Sequence, residues 1–227
     1  VLNKNNLRQV SYDMRNGIKD ILVRFVKNGW IPKYDDEDKT IIALERFGEN
    51  ITLEPGGQIE LSGAQLNNIH QTCTETTRHL KELKEIGKEF DFILLGLGVE
   101  PSLNLDDFPW MPKQRYDIMK NYMPNVGTLG HHMMKRTCTN QVNLDFYSEN
   151  DMKDKYRLML NIEGIATAIF ANSPFDNKKI SKYKSLRSHF WHHTDKNRTG
   201  LLPFVFSKDF NFEKYVDYAL DIPMYFI

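Results

Sequence analysis

The chain has little of what announces many common functions. Its 227 residues include only two cysteines, Cys73 and Cys138, too few for a disulfide framework or a multi-thiol zinc cluster. Such thiol usage suits a reducing compartment, and the cytoplasm is the expected location. Neither sign of charge is in excess: 30 Lys plus Arg balance 30 Asp plus Glu. No global field draws nucleic acid to such a chain, so any charge selectivity must be local. Apolar runs such as Phe92 to Leu95 fall far short of the roughly 20 residues a membrane-spanning helix needs. Neither a nucleic-acid nor a membrane partner is expected. Within these residues there is no charged start leading into an apolar stretch and cleavage site. There is also no repeat and no GxxxxGK[ST] phosphate loop, and the GLG at 96–98 does not substitute for one.

What is present favours a folded globule. The content is 41% apolar with 12% aromatic side chains, and residues 1–227 read as a single, truncated domain. Ile18, Ile21, Leu22, Phe25 and Val26 predict a helix between Tyr12 and Trp30, stopped by Asn28 and Gly29. DDED at 35–38 predicts a turn. TIIALERF and NITLEPGGQIELSG predict successive strands broken at Gly48 and at Pro55, Gly56 and Gly57. Leu66, Ile69, Cys73, Thr76, Leu80 and Leu83 form the apolar stripe of a helix from Ala64 to Gly87, with Cys73 in the core. DFILLGLGV reads as a short buried strand, and a proline-rich loop then delivers RYDIM.

Ser148 and Asp151 resemble a capping box opening a helix that runs to Phe170. A strand at Gly200 to Phe206, a helix near Phe212 to Leu220 and a last strand fragment complete the chain. Hairpins without regular βαβ alternation imply an α+β fold, an antiparallel sheet with helices packed on one side.

Thr137 to Phe146, TCTNQVNLDF, alternates as a strand. Thr137, Thr139, Gln141, Asn143 and Asp145 occupy one face, and Cys138, Asn140, Val142, Leu144 and Phe146 the other. Five short hydrogen-bonding side chains without Lys or Arg suit the floor of a polar site; a solvated face is the alternative. Cys138 points away from that floor, into the core. The histidine pairs His131, His132 and His192, His193 do not predict a metal site, because adjacent side chains diverge, and a loop accommodates them.

With EPGGQIELSGA at 54–64, RYDIMKNYMP at 115–124, FANSPF at 170–175, SLRSHFW at 185–191, DKNRTGLLPFVF at 195–206 and YVDYALDIPMYF at 215–226, the chain resembles glutamate–cysteine ligase of the plant and proteobacterial type. That family's catalytic domain is similar to glutamine synthetase. The resemblance begins near Pro32 and implies part of such a domain. Family members carry further catalytic sequence on both sides, including an acidic GTEHEK block that does not occur here.

The implied reaction joins L-glutamate to L-cysteine with ATP and Mg2+ (or Mn2+), the first step of glutathione synthesis. It proceeds through an acyl phosphate and needs no protein nucleophile. The alternatives are a related carboxylate–amine ligase with another amine, or a catalytically incomplete fragment. By resemblance, Glu54 and Glu60 hold the metal. Arg115 and Arg187 are the catalytic cations, a role suited to a permanently charged, forked guanidinium. Arg187, Trp191, Tyr116, Thr139, Gln141 and Tyr225 contact the substrates, and Asn143 and Arg198 contact the nucleotide. Glu163, Asn140 and Lys39 depart from the usual family residues outside the clamp. Cys73 resembles a cysteine that takes part in redox switching in plant members.

Overall fold

The computed structural model describes residues 1–35 and 40–224. It is α+β, with every strand pair antiparallel, as expected. Contacts divide the chain into two compact units. One comprises Val1–Gly96, Leu103–Asp117 and Met134–Arg136; the other comprises Leu97–Ser102, Ile118–Met133 and Thr137–Ile227.

In the first unit, β1 (Leu2–Asn3) precedes helix α1 (Ile18–Lys27). A four-stranded meander follows: β2 (Ile31–Tyr34), β3 (Ile41–Arg46), β4 (Glu49–Leu53) and β5 (Ile59–Ser62). The β3–β4 hairpin closes through Phe47 and Gly48, both left-handed at φ 52° and 84°. That is the twist-matched form of a two-residue turn. Glycine adopts it without cost, whereas the phenylalanine tolerates it while almost wholly exposed. Leu44, Ile51 and Leu53 project to one face and pack with Ile18, Ile21, Leu22 and Phe25 of α1, all essentially inaccessible to water. Burying each such side chain contributes about 1.5–3 kcal/mol.

Helix α2 (Ile69–Phe90) starts at Asn68, whose side chain accepts from the Gln71 amide. Its buried residues are Glu75, His79, Leu83, Ile86 and Gly87, so the expected stripe through Ile69, Cys73 and Leu80 is wrong. Ile69 and Leu80 are exposed, and so is Cys73, which is not core. Polar partners choose the face. Arg46 of β3 forks onto Glu82 at 2.8 and 3.0 Å, Arg78 reaches the buried Glu49 at 2.6 Å, and His79 stacks on Phe25.

The strand expected over DFILLGLGV shrinks to β6 (Phe92–Ile93), paired with β1. Leu94 and Leu95 extend past that short partner and are exposed. A 3₁₀ turn, Leu105–Asp107, leads to α3 (Gln114–Val126), which carries RYDIM on its first turns, and then to α4 (Gly130–Arg136). His131 and His132 therefore lie on a helix, not a loop.

In the second unit Ser148 caps α5 (Glu149–Ile169) by accepting from the Asp151 amide, as the sequence predicts. Hairpin β7 (Phe175–Asp176) and β8 (Lys179–Ile180), α6 (Leu186–His192) and α7 (Phe212–Asp221) follow. One core joins Val99, Leu186 and Phe190, and another joins Met152, Val205 and Phe210. The strand expected at 200–206 is instead a 3₁₀ turn, Pro203–Phe206, with proline at its start. Pro203 fixes φ and lacks an N–H for a ladder, and the turn directs Val205 inward.

The expected strand at 137–146 does not form either. Beyond an isolated bridge from Thr137 to Val99 and a bond from the Cys138 amide to Gly98, no described strand pairs with it. Both of its faces are exposed, Val142 to 82%, and Cys138 is only half-buried. The turn expected at 35–38 falls mostly outside the described residues. So does the end of the last expected strand, whose described part, up to Met224, is not a strand.

Candidate active site

Each unit gathers part of the expected chemistry. In the first, β4 runs into a turn at Glu54, Pro55, Gly56 and Gly57, and β5 returns. Thr52 pairs with Glu60, and the Glu54 amide bonds to the Gln58 carbonyl at 3.0 Å. This register makes Glu54 and Glu60 diagonal neighbours on one face. Burial raises the Glu54 pKa, with a further increment from the Glu60 charge; Lys113 and Arg115 oppose it. Glycine at 57 takes the left-handed φ of 82° in this turn, and glycine at 56 lets the Lys135 backbone approach, since a Cβ there would lie 2.4 Å from the Lys135 carbonyl oxygen.

Over this turn lies the start of α3. Tyr116, 2% exposed, donates its hydroxyl hydrogen to the Leu53 carbonyl. Lys113 donates to the same oxygen at 2.8 Å, and Arg115 Nη2 donates to the Tyr116 hydroxyl at 3.2 Å. Burial, helped by the Arg115 charge, brings the Lys113 pKa down to about 8. Lys113 was not foreseen, because a lysine between Pro112 and Gln114 carries no sequence signal; only the fold brings it to Leu53.

The oxygen donors fit a hard divalent cation in part. Two neighbouring carboxylates can contribute to a Mg2+ site, in which the ion retains waters and substrate oxygens in its shell. Among the described residues no cluster of three or more His, Cys, Asp or Glu forms, so the donor set here is partial.

In the second unit α6 presents Arg187 and Trp191 one turn apart, the guanidinium carbon 5.6 Å from the indole centroid. The helix starts at Ser185, which accepts from the Ser188 amide. The Leu186 amide bonds to the Ser173 carbonyl, and the Arg187 amide to the Ser173 hydroxyl. The FANSPF and SLRSHFW motifs thus meet. Arg187 is half-buried, its Nε is enclosed without a hydrogen-bond partner, and it has no ion-pair partner among the described residues. Burial lowers its pKa from the usual arginine range.

Arg198 is held internally, by Asp195 at 2.6 Å, the Tyr122 hydroxyl at 2.9 Å and the Pro223 carbonyl. Thr139 bonds to the Asn140 carbonyl and Gln141 to Asn143, all in the exposed 137–146 segment. Tyr225 lies outside the described residues.

The family model for glutamate-cysteine ligase family 2 matches residues 1–227. The chain belongs to this glutamate–cysteine ligase family. It is 54% identical over 225 residues to glutamate–cysteine ligase A, chloroplastic, of Oryza sativa subsp. japonica, covering 97% of this chain and 44% of that protein. It is 53% identical over 222 residues to the chloroplastic glutamate–cysteine ligase of Arabidopsis thaliana, covering 98% and 42%. Against the Nicotiana tabacum ligase, also chloroplastic, the identity is 56% over 191 residues, covering 84% and 37%.

The chain therefore spans under half the length of these relatives. Their chloroplastic names overturn the cytoplasmic expectation and point to the plastid. Cysteine usage constrains the redox environment of a protein, not which reducing compartment holds it.

Proposed function

We propose that this chain forms part of an ATP-dependent glutamate–cysteine ligase of the plastid. The observation that carries the reading is Arg187, a half-buried guanidinium with an enclosed, unbonded Nε–H beside Trp191, in a chain of this family. A buried guanidinium without an anionic partner is costly, and a carboxylate paired to its fork would offset that cost.

In the proposed reaction the γ-carboxylate of L-glutamate attacks the γ-phosphorus of ATP, forming an acyl phosphate and releasing ADP. The amine of L-cysteine then attacks the acyl carbon, phosphate leaves and the amine gives up a proton. Arg187 holds a substrate carboxylate through its planar fork, and Trp191 supplies an apolar wall. Arg115, oriented by Tyr116, offers positive charge to the transferring phosphoryl group. Glu54 and Glu60 would hold Mg2+ (or Mn2+), which when bound neutralises charge on the triphosphate.

The test is phosphate release by the full-length protein supplied with ATP, Mg2+ and glutamate. The reading expects release to depend on added cysteine. Release that ignores cysteine, or that needs a different amine, overturns it.

A further inference from the structure

Four consecutive carbonyls around Glu54 are all taken. Leu53 O accepts from Lys113 and Tyr116, and Glu54 O from the Gly57 amide at 2.9 Å. Pro55 O accepts from the Met111 amide at 2.9 Å, and Gly56 O from Gln9 Nε2 at 2.7 Å. The segment from Met111 to Tyr116 supplies three of these donors, a degree of fixation beyond what an antiparallel hairpin needs to close.

Leu53 is the last residue of β4, so the direction of its carbonyl sets the peptide plane from which Glu54 departs. The Tyr116 hydroxyl is both donor and acceptor. It gives its hydrogen to Leu53 O and receives one from Arg115. One buried oxygen therefore ties the cation at 115 to the strand end that carries the carboxylate at 54.

We infer that Tyr116 is a positioning residue rather than a substrate contact, and that with Lys113 it clamps the Leu53 carbonyl so that Glu54 is aimed at the divalent cation. The inference rests on the reading above, in which Glu54 and Glu60 are the metal carboxylates. Groups that orient a ligating carboxylate typically change metal affinity by about 10–100-fold when removed. The clamp also predicts a sign. If Lys113 acted on the metal only through its charge, removing it would tighten metal binding. As a clamp, its removal loosens it.

The probe is Mn2+ alone, its free concentration followed by electron paramagnetic resonance in titrations of the full-length protein. Tyr116→Phe keeps the ring and the charge and removes only the bridging hydroxyl. It is expected to weaken Mn2+ binding by about tenfold and to raise the Mg2+ concentration needed for half-maximal ligase activity, with the glutamate KM changed less than about twofold. Lys113→Met is expected to weaken binding and Lys113→Arg to restore part of it.

Unchanged Mn2+ affinity in Tyr116→Phe overturns the inference, as does tighter binding in Lys113→Met. Should Tyr116→Phe fail to fold, the Lys113→Met and Lys113→Arg pair decides. Glu54→Gln separates the two levels. If it binds Mn2+ as well as the unmodified protein does, the metal assignment itself fails. If it binds weakly while the clamp variants bind normally, only the clamp fails.

Discussion

Arg187 and Trp191 stand one turn apart on α6, guanidinium carbon 5.6 Å from the indole centroid, and the arginine's enclosed Nε has no partner. A surface arginine would satisfy such a group with water or a carboxylate. Here the guanidinium lies beside the ring, and no carboxylate among the described residues pairs with it.

Replacing Arg187 with alanine in the full-length protein is expected to raise the glutamate KM on the order of tenfold to a hundredfold, the range for a lost hydrogen bond to a charged group. Arg187→Lys is expected to recover little, since an ammonium lacks the planar fork. Steady-state kinetics with varied glutamate checks both, and a normal KM in Arg187→Ala would remove the clamp assignment.

Glu49 has no exposed surface and accepts from Arg46 at 3.3 Å and Arg78 at 2.6 Å. Removing one partner from a buried pair leaves an uncompensated charge. Arg46 retains Glu82, so the cost of Glu49→Gln is expected at the low end, about 3 kcal/mol. Urea unfolding monitored by circular dichroism measures it.

His79 is buried against Phe25, with Glu49, Glu82, Arg46 and Arg78 around it, and burial lowers its pKa below the usual histidine value. The unfolded chain therefore takes up a proton before the folded one does. Stability from this group is full above the unfolded pKa of about 6.5 and falls as pH drops toward the folded value. His79→Leu is expected to flatten the loss of melting temperature between neutral pH and pH about 5.5. An equally steep loss in the variant would exclude His79 as the source.

Cys73 is exposed and Cys138 half-buried. Brief alkylation of the native protein with iodoacetamide, followed by peptide mapping, is expected to label Cys73 first. Equal labelling would contradict the rotated face of α2.

That rotation shows where sequence reading ends. The β3–β5 meander was legible because alternation and the breaks at Gly48 and Pro55–Gly57 agree, and α5 because Ser148 caps it. The α2 face was not, because Glu82 and His79 turn inward toward Arg46 and Arg78, and Glu75 turns inward to accept from the Ala64 amide. Hydrophobic periodicity cannot register a buried polar network. Helices α3 and α4 escaped notice since Pro124 sits inside the first and glycines lie near their junction. Strand β2 contains Pro32 and is almost wholly polar or exposed. Of the site, Arg187 with Trp191 followed from the family resemblance of SLRSHFW, whereas the helix that sets them one turn apart was not foreseen. Lys113, and the bridging position of the Tyr116 hydroxyl, depend on Leu53, some sixty residues distant in the chain.

The segment that looked most like a strand behaves differently in solvent terms. From Thr139 to Phe146 no backbone amide finds a hydrogen-bond acceptor among the described residues, and the next, at Tyr147, bonds to Asp151. Amide protons there can exchange with water with no prior opening of structure. A protease can bind the stretch as the irregular, uncovered chain it already is. Deuterium uptake should therefore mark this stretch ahead of the capped helix that follows it.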